Sequence, residues 1–282
     1  MKNILVLVNL SAGAERIAKL AVKVAQQVGA HLMLCNGFEL PVSKPVYVGY
    51  PDVGITEHFE EDPFLTIDGL ADTLKRHVYN QYRNEAHQPN VNCINCTLFN
   101  SDKLHNLVIE KHVDMVITST HDLLELNSSG LLGMIDKANC PVLVIPENAR
   151  LSTLDSTAYL TDLRYCDVEV VRFLRSFNAK IFVTHVSSSG IPDMEDNYAQ
   201  QLLMDTIVSK TGYNKVFLRN IKGGNRKTDL EIVTKTAAIK FFTIVNRKHY
   251  VLERFLSDSE INRRNYHDMP LLIMPYPNWY RG

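Results

Sequence analysis

Cys140-Pro141-Val142-Leu143-Val144-Ile145-Pro146 and Met269-Pro270-Leu271-Leu272-Ile273-Met274-Pro275 share one pattern, an apolar run with a proline near each end. Proline has no N–H for a ladder, so each run reads as a short strand entered and left abruptly. An unbroken Val/Leu/Ile run further marks a strand covered on both faces. The two runs close the two halves of a 282-residue chain. Two more segments match in the same order. Val8-Asn9-Leu10 corresponds to Thr161-Asp162-Leu163, and Ala30-His31-Leu32-Met33-Leu34 to Ala179-Lys180-Ile181-Phe182-Val183. Such self-similarity points to duplication, and the length suits two cores of about 100–150 residues each. The expected domains are 1–150 and 151–282, joined by the short polar stretch Glu147–Thr153 and therefore packed together.

Working outward, short apolar runs alternate with helix-period segments, which predicts βα units and a mostly parallel sheet with helices on both faces. In the first half the expected strands are Lys2–Val8, His31–Asn36, Asn92–Phe99, Asp114–Thr118 and Pro141–Ile145. The helices between them are Ala14–Val28, Leu65–Glu85, His105–Lys111 and Gly130–Lys137. The second half gives strands Thr157–Leu163, Lys180–Val186, Lys215–Asn220, Phe241–Asn246 and Leu271–Met274, with helices Val168–Phe177, Glu195–Thr211, Leu230–Ala238 and Val251–Asn265. In the first helix Ile17, Leu20, Ala21, Val24 and Val28 form one stripe, with Ser11 as the expected cap and Gly29 as the stop. The fold class is thus α/β: two tandem repeats of an open, mostly parallel five-stranded sheet.

Composition removes several functions. Hydrophobic residues make up 45% and charged residues 22%, with a net charge of −1, so the long-range positive field that non-specific nucleic-acid binding needs is missing. The apolar start Ile4–Val8 breaks at Asn9, too soon for a membrane span or a secretory leader. Neither nucleic acid nor membrane is expected as a partner. The five cysteines read as reduced thiols of a cytoplasmic protein. Cys93-x-x-Cys96 has ligand-like spacing, but no second pair follows it, so no metal is expected.

The opening strand running into a short polar turn, the long helix ending at Gly29-Ala30 and the last strand Asn139–Pro146 together resemble the universal stress protein family. Val245-Asn246-Arg247-Lys248-His249, Leu252–Leu256, Ser259 and Tyr266–Leu272 resemble the C-terminal half of its tandem members. The resemblance implies a fold like that of the adenine nucleotide alpha hydrolases, itself Rossmann-like. In the nucleotide-binding branch, an Asp after the first strand meets adenosine, and a G-x-x-G-x9-G-[ST] loop holds the phosphates on glycine backbone and helix N-terminal amides. Here the first half has Asn9 at the Asp position, Ser119 and Asp122 near the first glycines, and Ser128-Ser129 near the last pair. A carboxylate where phosphates should sit repels them, so no ATP is expected there. The second half keeps Asp162, with Val186 at a strand end, Asn246 and His249 in place of glycines, and Ser257 and Ser259 at the far end. Asp162 also reads as a strand-end carboxylate capping the turn into the next helix.

His249, His267 and Asp268 offer acid–base groups, but no nucleophile stands at fixed spacing, and G-x-S-x-G, H-E-x-x-H and G-x-x-x-x-G-K-[ST] are all missing. The expectation is a stress-associated regulatory protein that binds an unknown protein partner or small ligand and is not an enzyme. Its halves form an internal pseudo-dimer through the closing strands or adjacent faces, and a homodimer could be built upon it. The alternative is an ATP- or adenosine-nucleotide-binding protein with its site in the second half and at most slow hydrolysis. The aromatic loop Pro41–Pro63 is either a flap over the strand ends or a cap on the domain, and Trp279 follows the last strand on the tail Tyr276–Tyr280.

Overall fold

The structure is a computed structural model that describes residues 1–8, 13–36, 66–94, 101–119, 135, 137–146, 149, 153–187, 193–221, 238–246 and 269–275. Strands β1 (Asn3–Val8), β2 (His31–Asn36), β3 (Val91–Ile94), β4 (Met115–Ser119) and β5 (Val142–Ile145) belong to the first half. Strands β6 (Ser156–Leu160), β7 (Lys180–Val186), β8 (Val216–Ile221), β9 (Phe241–Val245) and β10 (Leu271–Met274) belong to the second. All ten form one sheet in the order β3-β2-β1-β4-β5-β10-β9-β6-β7-β8. Each half has its first strand between its second and fourth, and every pairing is parallel except β5 with β10. The closing strands of the two halves, β5 and β10, pair with each other.

Among the described residues, five helices of eight residues or more accompany the sheet: α1 (Ala14–Val28), α2 (Ile67–Tyr82), α3 (Ser101–Glu110), α4 (Val168–Arg175) and α5 (Asp196–Leu203). Side chains alternate across each strand, and the core splits accordingly. On one face Ile4, Val6 and Val8 pack with Ile17, Ala21 and Leu74 of α1 and α2, and in the second half Tyr159, Ile181 and Val183 pack with Val171, Leu174 and Leu203 of α4 and α5. On the other face Leu5, Leu7 and Val116 meet Leu104 and Val108 of α3. Burying one such side chain contributes about 1.5–3 kcal/mol.

The register shows the repeat residue by residue. Asn3 pairs with His31 and Ser156 with Lys180, so counting along the ladders matches Val8 with Thr161 and Asn36 with His185. Backbone conformation repeats as well. Gly29 after α1 and Asn178 after α4 both lie in the left-handed region, φ 67° and 54°, and so do His112 before β4 and Ala238 before β9, both at 48°.

Differences from the expected elements have local causes. The strand expected over Thr157–Leu163 stops at Leu160 and enters a 3-10 turn at Leu163–Tyr165. Leu163 looked strand-like because it is buried, in the turn rather than in the ladder. Helix α3 begins four residues before the expected His105, with Asp102 in its first turn, where a carboxylate complements the helix dipole. The helix expected over Glu195–Thr211 is α5 followed by a π turn at Met204–Val208 and a last turn at Ser209–Thr211. Thr206, Ser209 and Thr211 each donate their hydroxyl to the carbonyl four residues back, which competes with the regular ladder. The first cap of α1 is Gly13, with no side-chain bond. Ser11, the third strand beyond Ile94, the helices expected over Leu230–Ala238 (apart from Ala238 itself) and Val251–Asn265, the Pro41–Pro63 loop and the Trp279 tail lie outside the described residues.

Helix α1 also holds the second half. Gln27 Nε2 donates to Phe177 O (2.9 Å), its Oε1 accepts from Leu154 N (3.0 Å), and the Arg16 guanidinium donates to Ala149 O.

The left-handed positions yield a prediction of opposite signs. A Cβ at Gly29 would touch nothing within 4 Å, so Gly29→Ala adds backbone strain alone and should lower stability by about 1 kcal/mol. Ala238→Gly should raise it by up to about 1 kcal/mol. Urea midpoints measure both, and equal signs would contradict the backbone explanation.

Candidate functional site

In an open α/β sheet, ligands settle outside the carboxyl ends of the strands where the strand order reverses. That place falls between β1 and β4 in the first half and between β6 and β9 in the second.

In the first half the described rim consists of Asn36, Thr118 and Ser119. Ser119 is buried, and Asn36 Oδ1 and Thr118 Oγ1 are buried oxygens without a hydrogen-bond partner among the described residues. Asn9, Asp122, Ser128 and Ser129 lie outside the described residues. Register corrects one correspondence. Ser119 faces Ile145 as Val245 faces Met274, so the counterpart of Ser119 is Val245, and Asn246 corresponds to residue 120. A one-residue offset matters on a strand, because it moves a side chain to the opposite face.

The second half is built more fully. Thr161 N extends the β6 ladder by donating to Thr184 O (3.1 Å), and Asp162 follows. The Asp162 carboxylate accepts from Arg164 N (3.2 Å) and lies 3.8 Å from Arg164 Nε. It caps the 3-10 turn Leu163–Tyr165, as expected of a strand-end carboxylate at the turn into the next helix; the helix itself has a separate cap. That cap is Asp167, whose Oδ1 accepts from Glu169 N (2.9 Å). The chain turns once more before α4, and each turn needs its own acceptor. Tyr159 anchors this second turn from below. Its hydroxyl accepts from Asp167 N (3.2 Å), and burial pushes the phenol well above its ordinary pKa.

Around Asp162 the neighbouring strand ends are polar and buried. His185 and Ser187 are buried on and just past β7, Asn246 just past β9, with Ser187 N donating to Ile221 O (3.0 Å) and Asn246 N to Met274 O (2.8 Å). The backbone of Val186 runs between them, paired with Ile221. The structure thus brings Asp162, Val186 and Asn246 to one edge, while His249, Ser257 and Ser259 lie outside the described residues. Sequence reading missed His185 and Ser187. The available signal was the Thr184-His185 pair inside an otherwise apolar strand, where a polar residue needs a reason.

Cys93 is the described member of the Cys93-x-x-Cys96 pair. The Cys93 thiol donates to Ile67 O (3.5 Å), and burial first, then Asp68, pushes it up, away from the thiolate that metal binding or disulfide exchange requires. Cys96 lies outside the described residues. Among those residues no group of three His, Cys, Asp or Glu side chains could hold a metal ion, and no helix is long and apolar enough to cross a membrane.

With this geometry in place, comparison identifies the family. The model of the universal stress protein family matches residues 1–146, and the chain belongs to that family. Among solved structures, a universal stress protein from Archaeoglobus fulgidus DSM 4304 aligns with a TM-score of 0.51 and 13% identity, over 98% of this chain and 97% of that one. A functionally unknown protein from Pseudomonas aeruginosa PAO1 aligns with a TM-score of 0.48 and 11% identity, over 99% and 94%. No curated protein matches the chain. At such identity the Archaeoglobus likeness speaks for the fold, and it extends across both halves.

Two outcomes follow. Burial pushes the Cys140 thiol from 9.0 up to about 12. Between those values the folded chain keeps a proton that the unfolded chain has lost. The stability from this group is therefore complete below pH 9 and fades as pH rises toward 12. Cys140→Ala should flatten the alkaline limb of a pH–stability curve, and an unchanged limb would contradict it. Asp167→Ala should cost about 1 kcal/mol as a lost cap, read by the thermal midpoint.

Proposed function

We propose that the chain is a binding and regulatory member of the universal stress protein family, working without catalysis and without tight ATP binding. The observation that supports this most is the commitment of the Asp162 carboxylate to the Arg164 amide and guanidinium. A carboxylate already capping its own turn can still accept one ribose hydroxyl, but the second half has Asn246 and His249 where phosphate-holding glycines belong. The buried polar edge of His185, Ser187 and Asn246 then suits a small polar ligand or the side chains of a partner protein.

The second reading, a nucleotide-binding protein with its site in the second half and at most slow hydrolysis, is favoured by one feature. Asp162 stands directly past the end of β6, beside the reversal of strand order. Calorimetric titration with adenosine, AMP and ATP separates the two. Weak or no heat, no tighter for ATP than for adenosine, is expected. Micromolar ATP binding that Asp162→Ala abolishes would overturn the proposal.

A further inference from the structure

In the first half, α1 and α2 line a groove of about 460 Å³ bordered by Glu15, Arg16, Lys19, Leu20, Lys23 and His77. Arg16, Lys19 and Lys23 recur at spacings of three and four, which places all three on one stripe of α1. The groove holds one carboxylate, Glu15, and it is matched to Lys19 at 2.6 Å. Lys23 has no ion pair among the described residues. His77 enters from α2 with its ring edge-to-face on Tyr82, 6.3 Å between centroids, and its Nε2 is buried without a hydrogen-bond partner among the described residues. Burial, then Lys19 and Lys23, hold this imidazole below its ordinary pKa, while Glu15 opposes them. Crowded cations and a buried, unanswered ring nitrogen in one concavity are the arrangement that an anion relieves.

We propose that this groove binds a small multivalent phosphate compound, with Arg16, Lys19 and Lys23 meeting its charge and His77 donating a hydrogen bond. The site belongs to the first half, apart from the Asp162 edge of the second, and does not depend on the function proposed for that edge. It also touches the join between the halves, because the Arg16 guanidinium that lines it already holds Ala149 O. An occupant drawing on Arg16 therefore bears on the segment that leads into the second half.

The test uses the full chain and inorganic tripolyphosphate at physiological salt, with calorimetry and the His77 imidazole proton resonances as readouts. Saturable one-site binding that shifts His77 is expected. Lys23→Glu, which leaves the Lys19–Glu15 pair in place, should weaken it at least about tenfold with the thermal midpoint unchanged, and Lys19→Glu combined with it should abolish it. Binding that sulfate reproduces equally, that the variants retain, or that leaves the His77 resonances unmoved overturns the proposal. So does a preference for an acidic peptide over tripolyphosphate. ATP binding that survives Asp162→Ala but not Lys23→Glu would report this groove and not the strand-end edge.

Discussion

Leu143 and Leu272 lie opposite each other at the antiparallel step between β5 and β10, in the middle of a sheet whose other pairings are parallel. Both strands would otherwise be edges, short and wholly apolar, with an unpaired row of backbone groups open to other chains. Paired, Val142, Leu143, Leu272 and Ile273 are all at most 1% exposed. The step has a geometric consequence too. At the junction the carboxyl ends of β5 and β10 point to opposite edges of the sheet. Three strand spacings, about 14 Å, separate β4 from β9, so the two strand-end edges cannot merge into one crevice. The connection after β5 must pass β10 and β9 to reach β6, and residues 146–155 span that distance easily. What prevents slack is Gln27, which bonds both Leu154 ahead of β6 and Phe177 behind α4.

Much of this was legible in the residues because burial on both faces leaves a strong mark. The runs at His31, Lys180 and Leu271 predict their strands to the residue, and α1 is bounded as its stripe and Gly29 require. Apolar content could not distinguish a buried turn from a buried strand at Leu163, nor show that hydroxyl back-bonding would open a π turn after Leu203. Both depend on where a carbonyl finds its donor, which periodicity does not encode.

The candidate site was less legible for a related reason. Asp162 and Asn246 could be placed by analogy of position, yet the role of Asp162 rests on which nearby amide reaches it, and that is Arg164, two residues away. His185 escaped notice since a histidine within an apolar strand reads as ordinary core. Only the ladder register, which sets it level with Asn36, shows that both halves put a polar side chain at the same strand end.

That register also shows how the halves have diverged. At matched positions along the carboxyl edge the first half has Val8 and Asn36, and the second has Thr161 and His185. The first two strands carry the more polar ends in the second half, whereas at the fourth strand Thr118 and Ser119 of the first half match Ile244 and Val245 of the second. On the helical face the halves differ as well. The groove cations occupy the first turns of α1, a 15-residue helix, whereas its counterpart α4 has 8 residues. The basic side chains of α4, Arg172 and Arg175, sit in its last turn, one of them paired with Glu169. A copy of the groove therefore has no helix to stand on in the second half. The two halves thus differ in which strands carry polar ends and in the charge along their first helices, and the shared sheet holds both surfaces.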